Sequence, residues 1–263
     1  MAFHDEARVV AMTFGPLFLP PDPPQRRNRG AVVPGSRDCL VLAALLLCYP
    51  ADDLVSCRAA ALEAACALPL SEPAGHLVEF CVWFLAVDPD DVRVDYVRTF
   101  DHQRRNSLSV TYATNGDTRR RGDALLAFKR LYRQHGYDIR DNELPDYLPT
   151  VLQFAAQAPA AAAAAALAMA RPGTEVLARS LAAAGSPWAP LAAAVLGCFP
   201  PLDREAKRQL AAVIIGGPPA ELVGVTPAGP FDKRGLRHQV QGNAPVETTS
   251  HPRRAPVPKG GHA

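Results

Sequence analysis

Glu143-Leu144-Pro145-Asp146-Tyr147-Leu148-Pro149 sets two carboxylates, an aromatic ring and two prolines directly before an apolar helical pattern. A helix start needs one capping side chain and tolerates a proline in its first turn, where the missing N–H has no intrahelical acceptor anyway. With Asp146 as the cap, Tyr147, Leu148 and Pro149 become the first three helical residues and no bond is lost. A start at Pro145 is the other register, since Leu144 resists helical angles before a proline. Pro149 would then sit too deep and cost one bond. The first register fits better, yet it leaves Glu143 and Pro145 without a capping role. Asp146 therefore stays open to a structural and a functional reading, and Glu143 points to function.

Downstream, Leu144, Tyr147, Leu148, Val151 and Ala155 share one helical face. Alanine-rich patterns follow at about 159–170, 174–184 and 188–198, divided by Pro172-Gly173 and Gly185-Ser186-Pro187, with a last one from Asp203 to Ile215. Upstream, Asn115-Gly116-Asp117-Thr118 reads as a turn and cap for a helix that ends at Gln134-His135-Gly136. Its first turn, Arg119-Arg120-Arg121, puts three cations at the positive end of the helix dipole. An acidic group in the fold or on a partner is expected to compensate. Ser107 to Tyr112 alternates polar and apolar residues like a strand, but no second strand is evident, so an extended loop or short helical turn is expected.

Nearer the N-terminus, residues 37–48 are apolar nearly all round, the mark of a buried helix capped by Ser36 or Asp38. A second helix is expected from Asp52 or Asp53 to about Ala67, and a third from Ser71-Glu72-Pro73. In the third, Leu77, Phe80, Cys81 and Phe84 form a buried stripe that Trp83 and Leu85 widen. Asp88-Pro89-Asp90-Asp91 caps a fourth, to about Thr99.

Of the 26 prolines and 18 glycines, 14 and 11 fall in residues 15–35 and 216–263. The sequence thus divides into a mobile Pro-rich extension (1–35), an all-α domain (36–215) and a disordered Pro/Gly-rich tail (216–263). A net charge of +2 gives no electrostatic case for nucleic acid. Cys39, Cys48, Cys57, Cys66, Cys81 and Cys198 form no C-x-x-C pair and read as small buried hydrophobes in a reducing compartment. The apolar run from Cys39 to Tyr49 is 11 residues, too short to cross a bilayer. Pro34 to Asp38 separates it from Arg26-Arg27, which argues against a twin-arginine leader. No phosphate-binding glycine loop, nucleophile elbow, zinc-binding helix or metal-ligand spacing is present, so no motif supports an enzyme.

Six motifs occur in order: Leu45 to Pro50, Tyr96 to Asp101, Ser107-Leu108, Gly116 to Gly122, Gln134-His135-Gly136, and Glu143 to Pro149 continuing through Phe154-Ala155. Together they resemble the NarJ family of nitrate reductase molybdenum cofactor assembly chaperones, a branch of the TorD/DmsD redox-enzyme maturation proteins. The resemblance is fullest over residues 96–156, extends through 40–95, and has no counterpart in 1–35 or 216–263. It implies a single compact all-α domain of about nine to ten helices in a cytoplasmic chaperone with no catalysis of its own.

Such a chaperone binds the N-terminal segment of the apo catalytic (alpha) subunit of a respiratory nitrate reductase. It holds the client for insertion of molybdopterin guanine dinucleotide and for complex assembly, keeps no cofactor itself, and does not insert into the membrane. The implied peptide-binding residues are Glu143, Pro145, Asp146, Tyr147, Arg121, Phe100 and Asp101, with the two carboxylates of the quoted stretch meeting basic residues of the peptide. Two positions depart from the wider pattern. Tyr147 stands where the TorD-type motif has histidine, and Tyr112-Ala113-Thr114-Asn115 replaces an aromatic-His-Val-His run. The residues alone also allow a helical adaptor or regulatory module unrelated to nitrate reductase.

Overall fold

The computed structural model describes residues 36–139, 143–202, 204–205, 207–208 and 210–211. All of them fall in one compact unit, Met1–Glu221. The readings of 1–35 as mobile and 216–263 as a disordered tail lie outside the described residues, as does the end of the helix expected up to Ile215. The described residues between 204 and 211 are helical. Ten α-helices and no strand occur among the described residues, as the all-α reading requires. They are α1 (Ser36–Leu46), α2 (Asp52–Ser56), α3 (Arg58–Cys66), α4 (Glu72–Ala86), α5 (Pro89–Tyr96), α6 (Tyr112–Asn115), α7 (Arg119–Gln134), α8 (Leu148–Gln157), α9 (Ala160–Ala183) and α10 (Ala189–Gly197). A π-turn, Val97–Asp101, continues α5, and a 3-10 turn spans Arg104–Asn106.

Helix α1 lies on α8, α8 on α9, α9 on α10, and α10 on both α4 and α1. Small side chains set the spacing, with Ala43, Ala44, Ala155, Ala166, Ala170, Ala192 and Ala194 all buried at these contacts. Leu77, Phe80, Cys81 and Phe84 form the expected stripe of α4, but Leu85 points outward at 40% exposure. Ser71 caps that helix by accepting from Ala74 N at 3.4 Å, and Asp88 caps α5 by accepting from Asp90 N at 2.9 Å. At the centre is Trp188, whose ring lies 5.1 to 5.5 Å from those of Phe80, Trp83, Tyr96 and Phe100. Its Nε1–H donates to Asp95 at 2.8 Å.

Three boundaries differ from expectation. The helix expected over 52–67 breaks at Cys57 into α2 and α3. Pro172-Gly173 does not divide two helices, because α9 runs through it with Pro172 inside. The glycine serves close approach instead of a turn: a Cβ on Gly173 would stand 2.0 Å from the Val110 carbonyl oxygen. Nor does Asp146 cap α8. Tyr147 takes that position without a side-chain bond, and Pro149 sits in the first turn at no cost in hydrogen bonds. Gly136 ends α7 as expected, at φ 80°.

Candidate functional site

The stretch from Glu143 to Tyr147 forms a surface lip, and what holds it is the alternating segment that had no visible partner. Ser109 and Tyr147 form an antiparallel bridge. Flanking it, Val110 N–H donates to Asp146 O at 3.0 Å and Leu148 N–H to Leu108 O at 2.8 Å. Alternation in 107–112 thus reports real pairing, limited to one bridge before the chain turns into α6.

Asp146 is closed to solvent, which removes it from direct contact with any peptide in this conformation. Its Oδ2 accepts from the Ser109 hydroxyl, from Thr111 N–H at 3.1 Å and from the Thr111 hydroxyl at 2.6 Å. Those three donors are why the carboxylate is turned away from the helix end it was expected to cap. Arg121 Nη2 donates to the same Ser109 hydroxyl at 3.2 Å. The guanidinium also lies 5.2 Å from the Tyr112 ring and 3.5 Å from Asp117, which supplies the acidic compensation expected in the first turn of α7. Tyr132 of α7 donates to Pro145 O at 2.8 Å.

The outer face of the lip has a different character. Glu143 is half-buried and Leu144 is 44% exposed. Tyr147 is half-buried, and the buried Tyr96 hydroxyl donates to Leu47 O at 3.0 Å. Burial pushes both phenols up, with Glu143 adding to the effect at Tyr147 and Asp101 at Tyr96. Burial together with Glu143 pushes the Cys48 thiol up to about 12. Tyr49 packs edge-on against Tyr96, with ring centroids 5.5 Å apart. Tyr49 is 47% exposed, and Asp101 is exposed.

Of the seven residues singled out in sequence, Glu143 and Tyr147 lie half-buried in the lip and Asp101 is exposed at the end of the π-turn, while Asp146 and Arg121 both bond Ser109 and Pro145 O accepts from Tyr132. Phe100 is a core residue, 4.8 Å from the Tyr96 ring and beside Trp188. Ser109, Thr111, Tyr96, Tyr49 and Tyr132 also contribute here and were not among those seven. Hydroxyls at every second position, Ser107, Ser109 and Thr111, were the available signal for the first two.

Cys39 and Cys81 are buried, Cys48, Cys57 and Cys198 half-buried, Cys66 exposed, and all six are free. Among the described residues no group of three His, Cys, Asp or Glu side chains is placed to hold a metal ion, and no helix is long and apolar enough to cross a membrane. An open cleft of about 500 Å³, lined by Arg171, Glu175, Arg179, Phe199 and Lys207 among others, includes none of the lip residues.

Fold and site together define an all-helical protein that presents an acidic, aromatic lip. The chain belongs to the nitrate reductase delta subunit family, whose model matches residues 63–194, half of its length. It is similar to the probable nitrate reductase molybdenum cofactor assembly chaperone NarJ of Bacillus subtilis, at 40% identity over 82 residues, 31% of this chain and 45% of that one. The NarJ chaperone of Escherichia coli K12 is 36% identical over 123 residues, covering 46% of this chain and 52% of its own. The nitrate reductase-like protein NarX of Mycobacterium tuberculosis is 39% identical over 108 residues, 41% of this chain and 17% of that larger protein. The match spans about half the length of the two NarJ chaperones.

Proposed function

We propose that this protein is a dedicated maturation chaperone for a respiratory nitrate reductase. It binds the N-terminal segment of the apo catalytic subunit in the cytoplasm and holds the subunit for molybdenum cofactor insertion and assembly. It performs no catalysis, keeps no cofactor and leaves the finished enzyme. The observation that carries this reading is the family match across residues 63–194, which contains the whole lip and the segment that holds it. Glu143 and Asp101 offer negative charge to basic residues of the peptide, while Tyr49, Tyr147 and Leu144 offer apolar area beneath it. Arg121, Asp146 and Pro145 act through the lip's position and Phe100 through the core.

Calorimetry of the full chain with a synthetic N-terminal peptide of the nitrate reductase catalytic subunit tests this. Wild type binds, and the affinity falls as salt rises. Glu143→Lys with Asp101→Lys lowers affinity about tenfold and removes most of the salt dependence. Unchanged affinity and salt dependence in the double variant would defeat the acidic lip. No binding by wild type would defeat the chaperone reading.

A further inference from the structure

We propose that Asp146 is a positioning residue that clamps the lip to the 107–111 segment, and that Arg121 couples helix α7 to this clamp through Ser109. The inference rests on the peptide-binding reading of the lip. Backbone pairing between lip and segment consists of one bridge with its two flanking bonds, too little to stand alone in water. The Asp146 side chain adds three more bonds across the same seam, from residues far away in sequence. A buried carboxylate that binds donors of the neighbouring segment has a job in the fold, and here the neighbouring segment is the lip's one bridge partner among the described residues.

Helix α7 bonds both sides of the seam, the lip through Tyr132 on Pro145 O and the 107–111 segment through Arg121 on Ser109. It buries little else, Phe128 and Tyr132 being its only fully buried residues. Two buried atoms of the cluster, Asp146 Oδ1 and Arg121 Nε, have no hydrogen-bond partner among the described residues. One is an acceptor and the other a donor, and the groups that carry them are two hydrogen bonds apart through the Ser109 hydroxyl. Direct pairing would satisfy both.

The test combines peptide calorimetry with amide hydrogen exchange on the full chain. Asp146→Ala is expected to weaken the N-terminal peptide about tenfold or more. It should also speed exchange of the Val110 and Leu148 amides, while the Leu77 and Phe80 amides of α4 keep their protection. Arg121→Gln is expected to act in the same direction, about threefold on affinity. Should Asp146→Ala fail to fold, the isosteric Asp146→Asn carries the test, with smaller shifts at the same two amides. Wild-type affinity in these variants overturns the proposal, and so does exchange that rises equally in α4, because the role would then be general stability. If wild type binds no peptide, the exchange pattern still decides whether the clamp exists.

Discussion

The Trp188 cluster and the lip junction are equally buried and oppositely built. Around Trp188 the contacts are rings and small aliphatic side chains, and its one polar atom is bonded to Asp95. At the junction the buried residues include Asp146, Thr111, Ser109 and Thr150. The four buried side-chain atoms without a partner among the described residues, on Asn106, Arg121, Asp146 and Thr150, all belong to the 106–150 stretch. The first region gains from simply being out of water. The second is stable only as far as each donor meets an acceptor, which makes it the place where a modest ligand energy can alter structure.

Substitutions should therefore separate the two regions. Trp188→Ala removes the hub of the aromatic cluster and is expected to cost about 3–5 kcal/mol in urea unfolding. A loss below about 1 kcal/mol would show that the rings repack without it. Gly173→Ala strikes the seam between the regions, since its methyl group meets the Val110 backbone and no flexible side chain can yield. About 1–3 kcal/mol of destabilisation is expected, together with weaker peptide binding, because Val110 is bonded to Asp146 O. Loss of stability with peptide affinity intact would mean that the segment shifts without carrying the lip.

The same contrast explains what could be read from sequence. The stripe of α4, the all-round apolar α1 and the glycine end of α7 were legible because apolar period and terminal residues act locally. Pro172-Gly173 misled, since the demand on Gly173 comes from Val110, a residue distant in sequence. Asp146 misled for a related reason: a carboxylate before a helix normally caps it, and only the fold shows three nearer donors at 109–111. Glu143, an acid with no capping role, lies half-exposed in the lip.

The smallest expected effect is the most diagnostic of the junction. Thr150 is fully buried in the first turn of α8, and its hydroxyl has no partner. Valine has nearly the same shape without the polar group, so Thr150→Val should be neutral or stabilise by up to about 1 kcal/mol in urea unfolding. In the Trp188 cluster no such gain is available, since the polar atom there is already bonded. A stabilised Thr150→Val would confirm that the junction gives up folding energy that better satisfied side chains would recover. A loss of more than about 1 kcal/mol would show instead that the hydroxyl is bonded in solution. The junction would then be as well satisfied at Thr150 as the core is at Trp188.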